Sequence, residues 1–365
     1  MNMEFPIKVS IVGCGAVVQE LHGAALSRLQ SQGAITVTSL VDPNRVQLER
    51  FKSKFSGATA FSNFEEAMRA APPDVTLVAS PPGLHRVHCE AALAAGSHVL
   101  CEKPLATTSA DADRIANAAN ASKRIVAVEL TRRFFPSIGT AAKMIAEGQL
   151  GPELEFVCRE GDVCCWPLTS DALFRRATSG GGVLADKGVH VLDSLLAMLG
   201  KMSVTAFEDD AQNGGVEGNC RMTMQGERVR GTLHLSCDQS LNNGLSIRGA
   251  KGELRLTDMF RHVEVRRPGG QWERFPSDVK WPSSVDKDKP CPVAPRNYDE
   301  CIGLQWVAML RAVRYGEKVP VDAAAARIVV AQIEEAYKMA GPMPQNWLAP
   351  DERKNAQSRH WNTRP

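Results

Sequence analysis

The chain has 365 residues, with 43 Lys and Arg against 41 Asp and Glu for a net charge of +2. Hydrophobic residues at 44% and charged residues at 23% are the proportions of a folded globular chain, and so balanced a charge gives no general pull toward nucleic acid or an anionic membrane. The length exceeds one ordinary core and predicts two domains, while no apolar run reaches the roughly eighteen residues of a membrane span.

Residues 8–13 form a β-branched run that predicts the first strand. Lys8 and the apolar stretch behind it imitate a short signal peptide, but Gly13 and Gly15 interrupt it, and strand plus turn is the better reading. Gly13-Cys14-Gly15-Ala16-Val17-Val18 then opens a helix predicted at 20–30. The first glycine allows a tight turn, and the second lets a pyrophosphate reach the amide groups of a helix N-terminus. Gly13, Gly15, Ala16 and Val17 are therefore candidate cofactor contacts. Val18 stands where the dinucleotide fingerprint asks for Gly or Ala, so a glycine turn without function remains an alternative.

A second strand is predicted at 36–42 and a helix at 44–55. Asp42 ends that strand, where an acid accepts hydrogen bonds from the adenosine ribose and repels a 2′-phosphate. It also suits an N-cap for the following helix. Arg45 lies close enough to accommodate the phosphate of NADP. The acid carries more weight, and NAD is the expected cofactor ahead of NADP. Strands at 74–80, 98–101 and 124–130 alternate with helices at 84–96 and 109–121. This rhythm belongs to a doubly wound parallel sheet.

The rhythm changes after Pro136. A helix at 137–147 gives way to strand-like runs at 153–165, 218–225, 228–238, 244–249, 253–257 and 262–267, the pattern of a large, mostly antiparallel sheet. A helix is predicted at 186–199, a proline-rich loop at 276–296, helices at 297–315 and 323–339, and a polar tail at 350–365. The expected domains are 1–132, 133–349 and that tail.

Five segments in order resemble the Gfo/Idh/MocA oxidoreductases, the glucose-fructose oxidoreductase and inositol dehydrogenase family. They are the glycine turn; Ser80-Pro81-Pro82 with His85; Gly96 to Pro104, with its Glu102-Lys103-Pro104 signature; Arg133-Phe134-Phe135-Pro136; and Gly180 to His190, which contains Asp186. The resemblance implies an α/β fold, with an N-terminal Rossmann domain followed by an α/β domain whose open sheet often mediates oligomerisation. It also implies NAD or NADP and a sugar or cyclitol substrate. Ser80, Pro81, His85, Glu102 and Lys103 become cofactor-side candidates, with His85 beside the nicotinamide half.

Moving a hydride between a carbinol carbon and nicotinamide requires a coupled proton on the oxygen. Lys103 follows a strand at the edge where doubly wound sheets bind ligands, and a surface ion pair with Glu102 is its plainer reading. Asp186 and His190 lie four apart on one helical face, so His190 suits a proton relay and Asp186 a positioning role. An N-cap and a half-buried structural histidine are their bland readings. Arg133, Trp166, Phe174 and Arg175 are further substrate-pocket candidates, beside Lys103, Asp186 and His190. His85, His88 and Cys89 lack a complementary ligand set, and no metal is expected. Ten cysteines without regular spacing suggest a cytoplasmic chain. The expected function is an NAD-dependent dehydrogenase or reductase of a sugar, amino sugar or cyclitol. An NAD-recycling glycosidase and a non-catalytic NAD sensor are the alternatives. A small polyol or sugar, without nucleic acid or membrane, is the expected partner. One apolar and one polar face on the strands carrying Met222, Met224, Leu233 and Leu235 suggest a homodimer or homotetramer.

Overall fold

The computed structural model describes residues 6–70, 72–163, 167, 171–212, 214–257, 262–277, 279–344 and 346–353. The chain divides into two units. The first combines Met1–Phe134, Pro167–Gly180 and Lys280–Ala331.

Short apolar runs build its parallel sheet: β1 (Ile7–Val12), β2 (Ile35–Val41), β3 (Thr59–Phe61), β4 (Val75–Val78), β5 (His98–Cys101) and β6 (Val126–Val128). Every residue of β4, β5 and β6 is buried, as in strands covered on both faces. The order β3-β2-β1-β4-β5-β6 reverses direction between β1 and β4. Their carboxyl ends therefore flank the switch point where such sheets take ligands. The connecting helices are α1 (Gly23–Ser31), α2 (Arg45–Lys52), α3 (Phe64–Ala70), α4 (His85–Ala94) and α5 (Ser109–Ser122). One π-helical turn, Val18–His22, precedes α1.

The second unit holds Phe135–Trp166, Gly181–Val279 and Gln332–Pro365. Helix α6 (Pro136–Ala146) leads into β7 (Leu154–Gly161), the described part of the strand expected at 153–165. Further along the chain come α7 (Arg176–Ser179) of the first unit and α8 (Val189–Leu199) of the second. The large sheet continues with β8 (Met202–Asp209), β9 (Asn219–Gly226), β10 (Val229–Ser236), β11 (Gly244–Gly249), β12 (Gly252–Thr257), β13 (His262–Arg266) and β14 (Trp272–Phe275). Back in the first unit, β15 (Trp281–Pro282) pairs with β16 (Pro292–Val293) inside the expected loop, and α9 (Tyr298–Tyr315) follows; α10 (Ala323–Lys338) begins in the first unit and belongs to the second from Gln332. Finally β17 (Ala340–Pro342) completes a nine-stranded sheet of order β14-β13-β12-β11-β7-β10-β9-β8-β17. Only the β10–β7 and β17–β8 pairs are parallel.

Alternation decides the two faces of this sheet. Met222, Met224, Leu233 and Leu235 are 0% exposed, whereas Arg221, Thr223, Thr232 and His234 are half-buried. The second face carries ion pairs, among them Arg255 with Glu264 at 2.7 Å and Arg266 with Glu253 at 2.8 Å. Trp272 lies beneath the Arg255 and Arg266 guanidinium groups, 4.0 and 4.8 Å from its ring centre.

Two expectations need correction. The packing does not follow a division at 132/133, because α9 returns to the first unit and buries Ile302, Trp306 and Leu310 in the core around β1. Nor is the tail free from residue 350: Glu352 is 1% exposed, pairs with Arg159 and accepts the Asn242 N–H at 2.8 Å. Among the described residues no helix is long and apolar enough to cross a membrane.

Candidate active site

In the first unit, Gly13 has φ +91°, and a Cβ there would lie 2.4 Å from the Ala79 carbonyl oxygen. Only glycine fits both demands. The next amide, Cys14 N–H, donates to Asp42 Oδ2 at 2.8 Å, and Asn44 N–H donates to Oδ1 at 2.7 Å. Asp42 thus ties the end of β2 to the glycine turn and keeps lone pairs on both oxygens for further donors. The cap of α2 is Asn44, whose Oδ1 accepts from Val46 and Gln47, so Asp42 is not the N-cap. Arg45 is exposed at the first position of α2. Helical geometry begins at Ala16 and Val17, where amide groups lack intrahelical acceptors. Val18, the off-pattern residue, is 0% exposed and packs into the core. Burial and the Asp42 charge push the Cys14 thiol up to about 12, which makes it inert.

At the carboxyl edge of the same sheet, Ser80 Oγ is 2.8 Å from His88 Nδ1. The His85 ring is fully buried, with Nε2 at 2.8 Å from the Ser80 carbonyl and Nδ1 at 2.8 Å from the Pro104 carbonyl. Both carbonyls can only accept, so the neutral ring donates to one of them and the imidazolium to both; the ring thus spans the Ser80-Pro81 turn and the Lys103-Pro104 segment, whose peptide bond is cis. Burial pushes His85 below the usual imidazole value although both carbonyls favour its charged form. His88 falls to about 4, through burial and then the nearby His85.

Glu102 is 5% exposed, with Oε1 at 2.8 Å from His22 Nε2 and Oε2 accepting the Lys103 N–H at 3.1 Å. The Trp306 indole donates to His22 Nδ1 at 2.9 Å. An indole can only donate, so Nδ1 accepts and Nε2–H donates to Glu102. Burial works against the Glu102 charge, but the His22 hydrogen bond and the Lys103 charge outweigh it and hold the carboxyl below its ordinary value. Glu102 is therefore no surface partner for Lys103. Lys103 itself is half-buried at the end of this polar chain.

In the second unit, Asp186 lies in the π-helical turn Leu184–Gly188 and His190 in the first turn of α8. A spacing of four keeps both on one side whether the turn is α or π. Asp186 is exposed and His190 is 7% exposed. Neither caps: the residues flanking both turns make no side-chain cap bond. Glu217, 2% exposed, accepts from Gly182 N–H at 3.0 Å, Leu184 N–H at 2.9 Å and Tyr337 Oη at 2.7 Å. A Cβ on Gly181 would fall 1.9 Å from Tyr337 Oη, and one on Gly182 would fall 1.9 Å from the Glu217 carbonyl. The glycines therefore let the segment bearing Asp186 close onto this acceptor.

Arg133 is half-buried in the turn Thr131–Phe134, Phe174 is 59% exposed, and Arg175 bonds Asp171 at 2.8 Å. Trp166 lies outside the described residues, as do Cys164 and Cys165. Among the described residues no group of three or more His, Cys, Asp or Glu is placed to hold a metal. Sequence reasoning missed His22, Trp306, Glu129, Glu217 and Tyr337. His22, Trp306 and Tyr337 are drawn in by tertiary pairing across 80 residues or more, Glu217 lies 33 to 35 residues from its amide donors, and Glu129 meets the Cys101 carbonyl from the neighbouring strand. No local motif announces such pairings.

The first unit thus offers a helix start for a pyrophosphate, an acid for a ribose, and a lysine at the strand edge. Residues 7–130 match the model of an oxidoreductase family with an NAD-binding Rossmann fold, and residues 138–255 match the Gfo/Idh/MocA C-terminal domain. The chain is 27% identical over 216 residues to the D-glucoside 3-dehydrogenase of Escherichia coli, an alignment covering 59% of this chain and 60% of that one. It thus spans less than two thirds of that relative. A levoglucosan dehydrogenase in complex with NADH and levoglucosan superposes with a TM-score of 0.75 at 20% identity, covering 91% and 98% of the two chains. A 3-ketoreductase from Actinomadura kijaniata, in complex with NADP and TDP-benzene, gives 0.76 at 20% identity over 93% and 99%.

Proposed function

The chain belongs to the Gfo/Idh/MocA oxidoreductases, and on that premise we propose that it is an NAD-dependent dehydrogenase or reductase acting on a secondary alcohol or ketone of a sugar, amino sugar or cyclitol. The observation that carries the cofactor half is Asp42: its carboxylate is pinned beside the glycine turn by Cys14 and Asn44 amides, with lone pairs left for ribose hydroxyls. A 2′-phosphate at that point would meet a negative charge. Arg45, exposed one turn away, is the competing feature and is outweighed.

Bound NAD supplies the hydride acceptor. Around it, Gly13, Gly15, Ala16 and Val17 hold the pyrophosphate at the helix start, and the Ser80-Pro81 turn and Glu102 border the nicotinamide half. His85 fixes that turn against Pro104. Lys103 donates to the substrate oxygen and stabilises the negative charge that builds on it as the hydroxyl proton leaves or, in the reducing direction, as the hydride arrives. The reaction also needs a group to exchange the hydroxyl proton, and His190 is assigned that part, with Asp186 fixing the substrate. Those two assignments rest on their motif, together with Arg133 and Phe174 as substrate contacts. The relatives' named substrates, a glucoside and levoglucosan among them, support a sugar. Assembly as a homodimer or homotetramer through the polar face of the large sheet completes the reading.

Incubation with NAD and a panel of sugars, glycosides and cyclitols tests it through absorbance at the nicotinamide band. Net, stoichiometric reduction is expected. Turnover of a glycoside without net reduction would favour transient oxidation instead, and no hydride transfer with any member would overturn the reading.

A further inference from the structure

Glu129 is used neither by the family motifs nor by the proposed reaction. It follows β6 directly, and its N–H donates to the Cys101 carbonyl at 2.8 Å, which sets it beside the Glu102-Lys103 corner at the end of β5. The residue is 1% exposed, and Oε1 is buried without a hydrogen-bond partner among the described residues. Stranding a polar oxygen in the interior is unfavourable, so its presence asks for a reason. The charged and titratable groups acting on it are Glu102 and Lys103 from the end of β5 and Tyr298 from α9, with Thr131 and Arg132 nearby on its own turn. His22 stands behind Glu102, and Trp306 behind His22. Glu102 is committed to His22 and to the Lys103 amide. Glu129 is the carboxyl left to respond.

We propose that Glu129 is a positioning residue for Lys103: it is the second carboxyl of a buried corner, and its ionisation holds the Lys103 side chain in the ammonium form. Burial, and after it the Glu102 charge, push the Glu129 carboxyl well above the usual carboxylate range, with Lys103 pulling the other way. Glu129 therefore keeps its proton at pH values where a surface glutamate has lost it. Once it ionises, Lys103 faces two carboxylates instead of one, and its own proton is harder to remove. The two groups titrate as a pair. The meaning of this for catalysis rests on the proposed role of Lys103, but the coupling itself does not.

The test uses competitive acetylation of the whole protein with acetic anhydride across a pH series, read for Lys103 by peptide mass spectrometry. Glu129→Gln and Glu129→Ala both remove the titrating carboxyl, Gln keeping its size and Ala avoiding a new buried amide. Lys143, whose side chain is 76% exposed, is the internal control. Thermal melting identifies which variants are folded. The expected result is that Lys103 becomes reactive at a pH lower by on the order of one unit in the variants, while Lys143 does not move. Curves for Lys103 that superimpose on the wild type, or that shift upward, would overturn the proposal. Failure of the wild type to oxidise any sugar would refute the dehydrogenase reading and leave this comparison intact.

Discussion

Replacing Glu217 with glutamine isolates the contact that seats the glycine-rich segment. The carboxyl receives Leu184 N–H and Tyr337 Oη on Oε1 and Gly182 N–H on Oε2. An amide offers one oxygen, so one backbone N–H must face the –NH2 group, donor against donor. Losing a hydrogen bond and stranding a buried donor costs about 1–3 kcal/mol. Burial raises the Glu217 pKa against the three hydrogen bonds that favour its charge, so the bonds are not fully charge-assisted and the lower half of that range applies. Glu217→Ala strands all three donors and should lose more than the glutamine change, about 3 kcal/mol or above. Urea unfolding followed by tryptophan fluorescence measures both. Gly182→Ala drives a Cβ to 1.9 Å from the Glu217 carbonyl and should be at least as damaging as the glutamine change. Turnover should fall in each variant while NAD affinity holds, because Asp186 and His190, the proposed substrate and proton residues, follow this segment and the proposed cofactor contacts lie in the first unit. Stability of Glu217→Gln within 0.5 kcal/mol of wild type would refute the reasoning, since surface changes alone reach that size.

Asp42→Asn keeps an acceptor oxygen but removes the charge, and should raise NADP affinity relative to NAD by tenfold or more by calorimetric titration; an unchanged ratio would assign selectivity to Arg45. His98, 8% exposed, is lowered to about 4, chiefly by burial and then by Arg124, against an unfolded value of about 6.5. Between those values the unfolded chain takes up a proton that the folded chain refuses, so stability falls as pH drops from about 6.5 to 4, by up to about 3 kcal/mol. His98→Asn should flatten that part of the profile in denaturant titrations, and an unchanged slope would contradict the assignment. Light scattering at micromolar concentration should give two or four times the chain mass; a monomer would mean that the ion pairs on the polar sheet face serve solvation alone.

The sequence discloses those parts that are local. Strand–helix alternation from Ile7 onward, the glycine turn with Asp42, and the Glu102-Lys103-Pro104 segment are contiguous patterns, and β4 and β5 form where the runs of apolar residues stand. Short β3, at three residues, falls below any measurable period, and so does the two-residue pairing of β15 with β16. The return of α9 to the first core is equally hidden, because Trp306 meets His22 across 284 residues. Val18 departs from the fingerprint for a reason invisible in one dimension: the core takes its side chain. Asp186 and His190 are legible as a spacing of four, but their support by Glu217 and Tyr337 belongs to tertiary structure.

The hydride step itself is the most direct measure of the central claim. Rapid mixing of wild-type, Lys103→Ala and Lys103→Arg enzyme with NAD and a substrate deuterated at the reacting carbon follows a single turnover. Wild type should transfer the label to the nicotinamide. Lys103→Ala should bind NAD almost as well but transfer about 10²–10⁴ times more slowly. Arginine should not rescue it, since a broad planar guanidinium cannot place the compact point charge of the lysine ammonium at the same oxygen. Wild-type transfer rates in Lys103→Ala would contradict the account and reduce that lysine to a bystander beside the His22–Glu102 pair.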